Sequence, residues 1–133
     1  MITFSAIAHF VGRIEVLRDF KRGVYSTVDS EVIAAFKGQT IEQIRQNYDM
    51  ITMDDEHIVV KLRIPDHKHH LSKKDGYRLI YLVYRNREEV VLLDIYPKNG
   101  PMQQLDIEDN AVANLVDQYA DEKEKGLLTE IVI

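Results

Sequence analysis

Two spacings of apolar residues divide the chain. Up to about residue 50 they recur every three to four positions, and from His57 onward they alternate every second position. Ile7, Phe10, Val11, Ile14 and Leu17 make one stripe of a first helix, with Ser5 as its expected N-cap and Gly23 as its stop. Ile2 to Phe4 predict a short edge strand ahead of it. Val28, Val32, Ala35 and Phe36 give a second helix its buried face. Ser26 or Thr27 caps it, Asp29 and Glu31 suit its first turn, and Gly38 ends it. Thr40 with Gln43 predicts a capping box for a third, short helix that turns Ile41, Ile44 and Tyr48 inward.

In His57 to Ile64, the residues Ile58, Val60, Leu62 and Ile64 alternate with His57, Val59, Lys61 and Arg63. Such a strand buries one face and leaves the other polar, so Lys61 and Arg63 are expected side by side on the outward face. Asp75-Gly76 and Asn86 bound a second strand, Tyr77 to Tyr84. A third follows Glu88-Glu89, with Val91, Leu93 and Ile95 opposing Leu92, Asp94 and Tyr96, and Asn99-Gly100-Pro101 stops it. Asp106 is the expected cap of a last helix carrying Val112, Leu115, Val116 and Tyr119, and Gly126 lies past its end. Ile131-Val132-Ile133 reads as an extra strand or as a tail that docks on a partner.

These elements predict one α+β domain over residues 1–133. N-terminal helices, about 5–50, pack on a twisted three- to four-stranded antiparallel sheet, about 57–98, and a C-terminal helix follows at about 107–125. A chain of 133 residues buries a sizeable core unaided. It has no cysteine, which removes disulfide and thiolate chemistry. No basic segment followed by a long apolar run marks a signal peptide, and no apolar run nears the ~20 residues of a membrane span. A cytoplasmic location is the expectation.

Charge changes the picture. The net charge of −5 argues against a nucleic-acid partner, but its distribution does not. Between Lys61 and Arg87 eight cations meet only Asp66 and Asp75. Between Asp106 and Glu130 eight acids meet only Lys123 and Lys125. Fields are local over a Debye length of ~8–10 Å, so an acidic protein can carry a basic face.

That face holds the candidate chemistry. Lys61 and Arg63 come from one strand, Arg78 from the next, and Tyr96 and Lys98 from the end of the third. Strands ~4.8 Å apart bring such groups within reach of one nucleotide. Arginine offers a fork to phosphate and lysine a point charge. Together they can neutralise the charge of RNA transesterification without a metal. Cations nearby stabilise a phenolate and disfavour an ammonium, so a tyrosine or a lysine is a candidate base or acid. Lys68, Lys73, Lys74 and Arg85 extend the candidate RNA-binding surface, and Tyr77, Tyr81 or Tyr84 is placed to stack on a base if exposed.

His67, His69 and His70 beside Asp66 fit no metal-ligand spacing with a mechanical reason behind it. The adjacent pair points apart in extended chain, and nearby lysines oppose a dication. No metal or cofactor is expected, and the loop reads as a polar loop or an RNA-gripping one. Asp54-Asp55-Glu56 reads as a solvated start to the first strand. His9 reads as a helix-boundary residue. Glycine-rich phosphate loops and nucleophile elbows are absent.

The succession of a cationic strand, a basic glycine-bearing loop, Tyr77-Arg78-Leu79-Ile80-Tyr81-Leu82-Val83-Tyr84, a short turn and Val90-Val91-Leu92-Leu93-Asp94-Ile95-Tyr96-Pro97-Lys98 resembles the RelE/HigB/ParE superfamily of bacterial toxins. The resemblance covers roughly residues 57 to 120. It implies a RelE-like fold and a metal-independent endoribonuclease that cuts mRNA, commonly on the ribosome, with a cognate antitoxin protein covering the basic face. Arg78, Lys61 and Arg63 would then hold or neutralise phosphate, and Tyr96 and Lys98 would stand near the scissile group, Tyr96 as base or positioning residue. ParE-like members instead act on gyrase, so a non-catalytic binding protein is the alternative. The chain departs from the family in its acidic net charge, its longer helical N-terminus, its His/Lys loop before Asp75-Gly76 and its C-terminal extension.

Overall fold

The computed structural model of the chain describes residues 1–47 and 49–133. The expected inward position of Tyr48 lies outside the described residues. In chain order the elements are β1 (Thr3–Ala6), α1 (Ala8–Arg18), α2 (Val28–Phe36), α3 (Ile41–Arg45), β2 (Met50–Met53), β3 (His57–Ile64), β4 (Tyr77–Tyr84), β5 (Glu89–Pro97), α4 (Asp109–Glu124) and β6 (Thr129–Ile131). Short 3-10 turns occupy Lys21–Gly23 and His67–His69.

All six strands join one sheet in the order β2-β3-β4-β5-β1-β6. β1 runs parallel to β5, with Thr3 opposite Glu89 and Ala6 opposite Leu92, and every other pairing is antiparallel. The expectation of a three- to four-stranded antiparallel sheet is therefore corrected to a mixed α/β fold with, among the described residues, a six-stranded mixed sheet and four helices. The central hairpins were readable because their alternation is local. The partner of β1 lies about 86 positions further along the chain, and no local pattern reports it. β2 is four residues long and largely exposed, so it has no apolar face to advertise. Of Ile131-Val132-Ile133 only Ile131 belongs to a strand, paired with Phe4, and β1 becomes an inner strand rather than an edge.

Helices lie on both faces of the sheet. All eight residues of β4 are buried, as in a strand covered on each side. Tyr77 and Tyr81 face the N-terminal layer: Tyr77 meets Tyr25 with ring centroids 6.2 Å apart, and Tyr81 meets Phe36 at 5.2 Å. Tyr84, on the other face, meets Tyr119 of α4 at 6.5 Å. β5 carries one extra residue between its pairings with Ile80 and Tyr81. This bulge re-phases the strand, so Val91 joins the side of Asp94 and Tyr96, and Leu92 crosses to the side of Tyr81. The strict alternation expected for β5 fails there.

The caps also differ. The Thr40–Gln43 capping box is present, with both reciprocal bonds made. Ser5 instead lies in β1, Ile7 precedes α1 with no side-chain cap, and Glu108 rather than Asp106 precedes α4. Asp106 has other partners. Among the described residues no helix is long and apolar enough to cross a membrane.

Candidate functional site

The α4-side face of the sheet carries two rows of residues across β3, β4 and β5. Arg63, Arg78 and Tyr96 are directly opposed in one row, and Lys61, Ile80 and Asp94 in the next. Opposed residues share a face, so three strands bring Lys61, Arg63, Arg78 and Tyr96 together, with Lys98 just past the end of β5. The segment linking β5 to α4 crosses this face. Tyr25 holds its start, since its hydroxyl donates to the Asn99 carbonyl at 2.9 Å and accepts from the Met102 amide at 3.0 Å.

Asp106 lies in the middle of the cations. Its carboxylate accepts from Lys98 Nζ at 3.3 Å and pairs with Lys61 Nζ at 3.9 Å. The Lys98 hydrogen bond, with the charges of Lys61 and Arg78, holds the Asp106 carboxyl below its usual range. One residue on, the Ile107 amide donates to the Tyr96 hydroxyl at 3.2 Å. The face thus already grips an anion, supplied by the chain itself.

Arg78 is only 5 % exposed. Its guanidinium donates to the carbonyls of Lys73 at 3.1 Å, Lys74 at 2.7 Å and Tyr77 at 3.3 Å. It therefore fixes the loop before β4 while contributing charge to the face. Burial first, then the like charge of Arg63, lowers its pKa. Arg63 is half exposed and pairs with Asp49 at 3.3 Å. Tyr96 is fully buried, and burial raises its phenol against the smaller pull of Arg78. The expected cation-stabilised phenolate is thereby corrected, because desolvation of the charged form outweighs the neighbouring cation.

Other candidates lie apart from this cluster. Tyr81 is buried on the opposite face, where its hydroxyl donates to the Ile44 carbonyl at 2.6 Å and accepts from Asn47 at 2.9 Å. Tyr77 and Tyr84 are also buried, so none of the three tyrosines presents a ring for base stacking. Arg85 is exposed beyond the far end of β4 and donates to the Asp54 carbonyl at 3.0 Å. Lys68 turns to the Gly23 carbonyl and the Ser26 hydroxyl. Lys73 and Lys74 are exposed near the site, and their carbonyls hold Arg78.

The histidine loop is pinned to the N-terminal layer. His67 Nδ1 lies 2.8 Å from the buried Glu31 carboxylate of α2, and His69 Nδ1 lies 2.7 Å from buried Asp66. Among the described residues no three His, Asp or Glu side chains converge as metal ligands.

The sequence pattern takes Asp106 for a helix cap and His9 for a helix-boundary residue, and assigns no role to Arg13 or Asp94. Asp94 did carry a signal: a lone acid inside an apolar strand needs a partner once it is buried. His9 and Arg13, one turn apart on α1, supply it at 3.1 and 3.8 Å. Comparison with protein-family models, with curated proteins and with solved structures gave no match.

Proposed function

We propose that the chain binds the phosphodiester backbone of RNA on the face built by β3, β4 and β5 and cuts it there without a metal, as an mRNA interferase does. The observation that carries this reading is the Asp106 carboxylate, held between Lys98 at 3.3 Å and Lys61 at 3.9 Å. Donors arranged for a carboxylate suit a phosphate oxygen, and a phosphodiester displacing Asp106 would meet the same two ammonium groups beside Arg63 and Arg78. Fixed cations of this kind stabilise the extra negative charge of a five-coordinate phosphorus. The resemblance of residues 57 to 120 adds the ribosome-bound mRNA as substrate and an antitoxin protein as the partner that covers the face.

Primer extension on mRNA in a ribosome-containing extract tests the reading. The wild-type chain should produce new 5′ ends. The double variant Lys61→Gln, Lys98→Gln should leave the message intact, and Asp106→Asn should bind a single-stranded oligoribonucleotide several-fold more tightly. Affinity should also fall with salt, at a slope of about 0.7 per phosphate neutralised. Intact mRNA together with salt-insensitive or absent RNA binding would sink the proposal.

A second reading keeps the face as a binding surface without chemistry. It is favoured by the burial of Tyr96 and by the tie of Arg78 to three backbone carbonyls. It expects inhibition of gyrase supercoiling or of another macromolecular process, with RNA left whole.

A further inference from the structure

The proposed cleavage lacks a base, since Tyr96 is fully buried with its hydroxyl against the Ile107 amide, and Lys61 and Lys98 are both paired with Asp106. The imidazole of His67 is tied to Glu31 of α2 and that of His69 to Asp66 of its own loop, and His57 lies opposite Tyr84 at the other end of β3. His9 is placed differently. Its Nε2 is 3.1 Å from Asp94 Oδ1, and the ring is about a third exposed, 35 %, on a groove of about 410 Å³ that Arg13 and Met102 also line. Asp94 is 3 % exposed and also accepts the Ile95 amide at 2.8 Å, so the carboxylate is fixed. A neutral His9 therefore keeps its proton on Nε2 and offers Nδ1 as an acceptor. An exposed base oriented by a buried carboxylate is the arrangement that activates a hydroxyl.

His9 also borders the cationic face. Asp94 lies two residues before Tyr96 on the same side of β5, in one row with Lys61. Arg13 donates to Gln104 at 2.8 Å, while Asp106 meets Lys61 and Lys98, and Ile107 meets Tyr96. Four consecutive residues, no more than roughly 13 Å of extended chain, thus touch both groups of side chains.

We infer that His9 is the general base of the cleavage and that Asp94 is its positioning residue, an inference that rests on the RNA-cutting reading of this face. His9 Nδ1 takes the proton of the 2′-hydroxyl. The 2′-oxygen bonds to the adjacent phosphorus, and the bond from phosphorus to the 5′-oxygen breaks. Water protonates the departing oxygen, and the resulting hydroxide takes the proton from His9. The products are a 2′,3′-cyclic phosphate and a 5′-hydroxyl, with no net proton change. The charged groups around His9 are Asp94 of β5, Arg13 of its own helix and Glu122 of α4, whose carboxylate accepts the Ala8 amide at 2.8 Å.

The test uses the full chain, ribosomes and a labelled oligoribonucleotide, with a 2′-deoxy version as the uncleavable binding probe. His9→Gln keeps an N–H for Asp94 and should lose cleavage by on the order of a hundredfold while binding the probe as wild type does. Asp94→Asn, checked for folding by circular dichroism, should cleave more slowly with its pH profile displaced. If His9→Gln cleaves at the wild-type rate with an unchanged pH profile, the assignment of His9 is overturned while the reading of the face stands. If the wild type cleaves nothing, that reading fails and the inference falls with it.

Discussion

Tyr96 shows how burial reassigns a residue. A phenol next to Arg78 is expected to ionise easily, but desolvation raises its pKa, and the hydroxyl instead receives the Ile107 amide. Tyr96→Phe should therefore leave RNA binding unchanged. It should cost about 1 kcal/mol of stability for the lost hydrogen bond, measured by urea denaturation. Asp106 has the opposite sign. Its folded pKa is depressed by Lys98 first, so its pairing contributes stability above the unfolded carboxylate range and loses it only as pH falls through the lowered value. Between those two pH values the segment over the face should stay closed, with acrylodan attached to Leu105→Cys as the reporter. Asp106→Asn should remove that pH dependence. The site was partly legible at this scale. Lys61, Arg63, Arg78, Tyr96 and Lys98 do share a face, because period-two alternation dictates which side chains point together. Asp106 and His9 come from a loop and a helix whose docking no spacing in the chain encodes.

Between elements, short contacts hold the pieces in place. The capping box of α3 holds a helix of only five residues, too short to persist alone, and Arg45 at its end donates to the carbonyls of Tyr84 and Arg87. Thr40→Ala should cost about 1 kcal/mol in a thermal melt through loss of the cap. Gly76 is packed tighter still. A Cβ there would come within 2.2 Å of the Ile64 carbonyl oxygen, so Gly76→Ala should displace the start of β4 from β3. We expect a loss of about 2 kcal/mol or more, with a cleavage defect following from the displaced Arg78. The Asp75-Gly76 turn was readable as punctuation, but the close approach that demands glycine depends on a neighbouring strand. Helix stripes and hairpins were likewise visible, whereas the bulge in β5 leaves no mark on an unbroken apolar run.

At the scale of the molecule, the sheet is closed on one side by a strand made of the last residues. β6 pairs with β1 through Thr129 to Ile131, and Leu128, Ile131 and Ile133 pack against the core. Deleting Leu127–Ile133 should uncover the edge of β1, lower the melting temperature and promote self-association seen by size-exclusion chromatography. The opposed charges of the two halves find their meaning here also. The acidic stretch after β5 contributes Asp106 to the basic stretch before it, while five of its other acids lie on α4, Glu108 precedes that helix and Glu130 lies in β6.

The parallel pairing of β1 with β5 has a bearing on synthesis. β1 leaves the ribosome before the other strands of its sheet, yet its neighbour on one side ends at Pro97, and the strand on its other side ends at Ile131. Contacts so distant along the chain close slowly. A nascent chain stalled before β5 would hold β1 unpaired and lack Tyr96, Lys98 and Asp106 together. The cationic face is thus completed, and the carboxylate that occupies it supplied, within a dozen residues of each other.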